Sequence, residues 1–125
     1  MSAGKRVLDV GQCQIDGPRI GRFLKREFDC VVDRAHSKEE ALKLAAANNY
    51  DLVFVNRLLA LDRSPGIEVI AALHAAYPAL RVMLVSDYPE AQEEAVRQGA
   101  LRGFGKSALE SDATEELIRS VLANH

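Results

Sequence analysis

The run Asp51-Leu-Val-Phe-Val55 constrains the fold more than any other stretch of the chain. Strand side chains alternate between two faces, so consecutive apolar residues need apolar cover on both sides. That is the condition of a parallel strand sandwiched between helices. The rest of the chain repeats the unit. Arg6-Val-Leu-Asp-Val10 reads as a strand bounded by Gly11, and Cys30-Val-Val32, Arg81-Val-Met-Leu-Val85 and Leu101–Gly105 read as three more. Between them lie helical patterns. Ile20, Phe23, Leu24 and Phe28 recur after Asp16, Gly17 and Pro18, with Asp16 as the expected cap. Ser37-Lys-Glu-Glu40 is a capping box ahead of Ala41, Leu42, Leu44 and Ala45. Residues 57–65 form a loop, and a helix through Ile67, Val69, Ile70 and Leu73 stops near Pro78. A helix over 89–98 ends at Gly99, and Asp112-Ala-Thr-Glu115 is a second capping box, leading into Leu117, Ile118, Val121 and Leu122.

The expectation is α/β: an open, doubly wound, five-stranded parallel sheet of (βα)5 type in a single domain over 1–125. With 48% apolar and 27% charged residues, 125 residues supply a core without a disulfide or metal staple. Sixteen basic against eighteen acidic residues give −2, which carries no electrostatic footprint for nucleic acid or an anionic membrane. Cys13 and Cys30 lack metal or redox spacing, and His36, His74 and His125 suggest no ligand set. No apolar run is long enough to span a membrane and Met1-Ser-Ala-Gly-Lys-Arg opens no signal peptide, so a cytoplasmic chain is expected.

In open parallel sheets, ligands bind beyond the carboxyl ends of the strands. The residues there are Gly11, Gln12 and Cys13; Asp33; Asn56; Ser86 and Asp87; and Lys106. In this arrangement the chain resembles the receiver domain of two-component response regulators, the CheY-like, flavodoxin-like family, over nearly its whole length, and the resemblance implies the strand order 2-1-3-4-5. Ser86 after the fourth strand and Lys106 after the fifth match the family's hydroxyl and lysine. Tyr50-Asp-Leu-Val-Phe-Val-Asn56 matches its third strand, with Asn56 at the phospho-acceptor position, and Gly11 and Gln12 stand at the acidic pair.

Those substitutions remove the nucleophile and the metal ligands together. A neutral amide does not supply the carboxylate that phosphoryl transfer requires. Mg²⁺ wants oxygen ligands, usually with at least one carboxylate. The 57–65 loop also looks longer than the family's, and Ser107 stands where many receivers carry Pro. The resemblance therefore implies a degenerate pseudo-receiver with no catalytic residue, no metal and no cofactor. Receivers also carry a switching aromatic on the fifth strand. Phe104 is the candidate here, one place too near Lys106, so either a bulge corrects its face or the switch is absent.

Other readings concern the remaining polar groups. Ser86, Lys106 and Asn56 form either an anion pocket or a relict in which Lys106 finds a carboxylate or solvent and Asn56 fixes loop backbone. Asp9, alone among Val7, Leu8 and Val10, is either a displaced acid for Lys106 or a hydrogen-bonded, partly wet strand-end residue. Cys13 is expected to be inert and Cys30 to sit in the core. The leading function is a phosphorylation-independent, non-enzymatic interaction module in signal transduction. Its expected protein-partner face is the fourth helix, fifth strand and fifth helix, with Tyr88, Glu93, Glu94, Arg97, Leu101 and Arg102; homodimerisation is left open. The alternatives are a sensor of a small anion in the old phosphate pocket, and a receiver that still takes phosphate on Asp9, Asp62 or Asp87.

Overall fold

The computed structural model describes residues 4–123; Met1–Ala3, Asn124 and His125 lie outside them, and with them the opening of the chain and one of the three histidines. The elements run β1 (Arg6–Val10), α1 (Asp16–Phe28), β2 (Val31–Ala35), α2 (Lys38–Ala47), β3 (Leu52–Asn56), α3 (Gly66–Ala76), β4 (Val82–Val85), α4 (Pro89–Arg97), β5 (Leu101–Phe104) and α5 (Asp112–Ala123), with a short 3-10 turn at Lys106–Ala108. The five strands are parallel, as the apolar pattern predicts, and ordered β2-β1-β3-β4-β5, as the resemblance implies.

β3 shows why its apolar run is continuous. Val53 and Val55 face one cluster with Leu8, Val10, Leu84, Ile70, Leu73 and Ala95, under α2, α3 and α4. Leu52 and Phe54 face the other, with Val7, Met83, Ile20, Phe23, Leu24, Ile118 and Leu122, under α1 and α5. All five β3 residues are buried. At about 25 cal/mol per Å² of apolar surface removed from water, such side chains dominate the stabilisation.

Several element boundaries differ from expectation. β2 begins one residue later and runs on through Asp33 and Arg34, so Asp33 lies inside the strand and not after it. This is an edge strand, and polar side chains at its rim hide the pattern that a central strand shows. Asp33 accepts the Tyr50 hydroxyl at 2.7 Å and pairs with Arg6. α1 begins at Asp16, capped by Ile15 without a side-chain bond, so Asp16 is not the cap. The second capping box is shifted by one: the Ser111 hydroxyl accepts the Thr114 N–H at 3.2 Å and the helix starts at Asp112. At Ser37 the hydroxyl accepts the Glu40 N–H as expected, while Glu40 reaches back to the His36 N–H. Cys30 is buried just ahead of β2, where burial pushes its thiol up to about 11.

Candidate functional site

β5 is not regular. Met83 pairs with Leu101 and Val85 with Phe104, so β5 spends one extra residue between the two pairings. The bulge falls at Arg102-Gly103 and turns Phe104 inward, where its ring meets Phe54 edge-on at 5.2 Å between centroids. Of the two readings of the offset, the bulge is the one present. Gly103 is required there, because a Cβ would collide with the Leu84 carbonyl. The bulge is filled by Gln92 of α4. Its amide nitrogen donates to the carbonyls of Leu84 (2.9 Å) and Ser86 (3.1 Å), and its oxygen accepts the Gly103 N–H (2.8 Å). Sequence reasoning missed this residue, since a Gln on a helix carries no signal of what it will face.

Ser86 follows the last residue of β4 and Lys106 lies just past the end of β5, and both share a cavity with Asn56. A cavity of about 270 Å³ opens there, with Asn56, Arg57, Arg63, Ser86, Asp87 and Lys106 among its lining. Asn56 is fully engaged. Its amide nitrogen donates to the carbonyls of Gly11 (3.0 Å) and Leu58 (2.8 Å), and its oxygen accepts the Arg57 N–H (3.0 Å). It therefore fixes the loop backbone. The buried Ser86 hydroxyl accepts the Tyr88 N–H at 3.1 Å, and no acceptor among the described residues takes its own hydrogen. Asp87 accepts the Ser107 hydroxyl at 2.6 Å.

Lys106 has found a carboxylate, but it is Asp16 and not Asp9. Its ammonium lies 3.0 Å from Asp16 Oδ2, and Arg19 donates to its carbonyl. Burial pushes the Asp16 carboxyl up, yet the Lys106 bond and charge, with Cys13 and Arg19, outweigh it and hold the group below its ordinary value. Cys13 is half-buried against the same carboxylate, its thiol 3.4 Å from Asp16 Oδ2.

Asp9 fits neither expectation. It lies inside β1, 1% exposed, and neither carboxylate oxygen accepts a hydrogen bond among the described residues. The Gln12 side chain beside it is equally buried and also without a normal hydrogen bond. Burial pushes the Asp9 carboxyl up to about 7, only partly offset by the nearby Gln12 amide, too poorly placed for a normal hydrogen bond, and by the charges of Arg34 and Lys106. Arg34 is occupied above it, donating to the carbonyls of Gln12 and Cys13 at 3.0 and 3.2 Å. Gly11 has a φ of +81°, and a Cβ on it would run into Leu59.

The donor set does not fit Mg²⁺. Gly11 offers no side chain, Gln12 is buried with no carboxylate, and the Asn56 oxygen is committed to Arg57. Asp16 is committed to Lys106, and no three His, Cys, Asp or Glu side chains among the described residues stand together as a metal cluster.

Sheet order, the loop-end hydroxyl and lysine, and five surrounding helices together define the fold of a CheY-like response-regulator receiver. No family model and no curated protein matches the sequence. Solved structures do. The receiver domain of NtrX from Brucella abortus superposes with a TM-score of 0.81 at 22% identity, over 95% of this chain and 99% of that one. In the longer NtrX structure the match covers 97% of this chain but 28% of that one, at 21% identity and a TM-score of 0.82. A response regulator from Burkholderia pseudomallei, solved with a phosphorylated aspartic acid, a calcium ion and citrate, is 27% identical with a TM-score of 0.71, over 97% of this chain and 75% of that one. These likenesses establish the fold; the chemistry rests on the residues at the site.

The expected partner face carries exposed Tyr88, Val96 and Leu101, with Arg97 paired to Glu94 on α4. Tyr88 also stacks under the Arg57 guanidinium, 4.7 Å from the ring centroid. Among the described residues no helix is long and apolar enough to cross a membrane.

Proposed function

We propose that this chain is a receiver-type signalling domain that accepts no phosphoryl group covalently and acts by binding a protein partner. The observation that carries this reading is the bonding of Asn56. A receiver's acceptor must present a free carboxylate oxygen to the donor, and here an amide spends both hydrogens and its oxygen on loop backbone. The surrounding devices agree. Leu59 occupies the space beside Gly11, and Lys106 is held by Asp16.

The partner face is α4–β5–α5, where Tyr88, Glu93, Arg97, Leu101 and Arg102 are exposed. Gln92 ties α4 to the β5 bulge, which supports a face that binds without a covalent trigger. The role is therefore non-enzymatic. Incubating the purified domain with Mg²⁺ and acetyl phosphate, then measuring intact mass, tests it. The unmodified mass alone is expected. Phosphate on any of Asp9, Asp62 or Asp87 would overturn the reading.

A further inference from the structure

The cavity above Asn56 is cationic, and its charge comes from residues that the sequence did not single out. Lys106 is already matched by Asp16, so it contributes little net charge. Arg57 and Arg63 line the same cavity, and neither has an acidic partner among the described residues. Arg57 is oriented by its stack on Tyr88. Arg63 is carried by a closed loop in which the Leu59 N–H reaches the Ser64 carbonyl and the Arg63 N–H reaches the Leu59 carbonyl. Against these two cations stands one carboxylate, Asp87, which is turned to Ser107. Beneath them the buried Ser86 hydroxyl keeps a hydrogen to donate.

We propose that this cavity is a metal-independent site for a phosphate monoester, bound as the dianion by Arg57 and Arg63 with the Ser86 hydroxyl beneath. The proposal rests on the reading that Asn56 accepts no phosphoryl group. Arginine forks match the oxygens of a phosphate in bidentate fashion, and a phosphate ester carries close to two negative charges at neutral pH. A volume of 270 Å³ holds the phosphate and the first atoms of its ester, and the opening leaves room for the rest. The ester is carried either by a small metabolite or by a phosphorylated side chain, and the chemistry at the arginines is the same.

The test is an amide NMR titration in EDTA, at ionic strength matched with NaCl because exposed charges are screened. The probes are inorganic phosphate, O-phospho-L-serine and a phosphoserine hexapeptide. Saturable shifts are expected at Arg57, Arg63 and Ser86. Arg63→Gln and Arg57→Gln should each weaken binding by about tenfold or more, the scale of one charge-assisted hydrogen bond. Asp87→Asn should tighten it. Tightest binding of the hexapeptide assigns the ester to a protein, and of the amino acid to a small molecule. Absence of saturation with all three probes, or equal affinity in the arginine variants, overturns the proposal. Such a failure leaves the reading of Asn56 untouched, whereas a response that needs both Mg²⁺ and a phosphoryl mimic overturns that reading instead.

Discussion

The Asp16 carboxylate lies 3.0 Å from the Lys106 ammonium, joining the first turn of α1 to the end of β5 across 90 positions of sequence. Both side chains are about a third exposed or less, so the pair is better shielded than a surface ion pair. The carboxyl is held below its ordinary value, so its contribution is full above that value and is lost as pH falls through the lowered one. Lys106→Gln should cost about 1 kcal/mol at neutral pH. Urea denaturation checks this, and wild type and variant should converge in acid.

Asp9 has the opposite sign. Its carboxyl keeps a proton up to about 7, where the unfolded chain releases it near 3.8. The folded state binds more protons across that window, so stability falls as pH rises through it and the loss is complete above about 7. Asp9→Asn should flatten this slope and stabilise the domain above neutrality by a few kcal/mol, at about 1.4 kcal/mol per unit. Parallel denaturation profiles for the two proteins would contradict the assignment.

Gln92 holds α4 against the bulge, and its loss leaves the Gly103 N–H and two carbonyls without their partner. Gln92→Ala should cost roughly 2–3 kcal/mol, the penalty of orphaned buried polar groups. Gln92→Glu should cost more, because a carboxylate would face the Leu84 and Ser86 carbonyls. Hydrogen exchange at Gly103 should accelerate in both variants.

Rebuilding the acidic pair is not a matter of side chains alone. Gly11→Asp places a Cβ at a φ of +81° and against Leu59, so it should destabilise by about 1–3 kcal/mol before any metal binds. Pairing it with Leu59→Ala should relieve the collision and leave the backbone strain. Leu59→Ala alone opens a core cavity, so thermal denaturation of both single variants and the double variant, read as a cycle, separates the collision from the strain.

The sheet was legible because its central strands are buried on both faces, and Leu52–Val55 and Val82–Val85 record that directly. Edge elements were read less well: Asp33 and Arg34 of β2 look like loop residues until their partners are known. The β5 bulge was visible as one of two readings, because Gly103 and the spacing of Phe104 to Lys106 both bear on it. Asp16 reads as a cap because Asp-Gly-Pro is a strong local signal, whereas its partner, Lys106, lies 90 positions away in sequence. Gln92, Arg57 and Arg63 stayed hidden for the same reason: a polar residue on a helix or in a loop takes its meaning from what the fold places opposite it.

The proposed function turns on whether Asn56 closes this site to phosphoryl chemistry. An amide NMR titration of the wild-type domain with Mg²⁺, then with beryllofluoride as phosphoryl mimic, tests it most directly. No Mg²⁺-dependent shift is expected at Asn56, Ser86 or Lys106. Shifts at those amides that require metal and mimic together would contradict it.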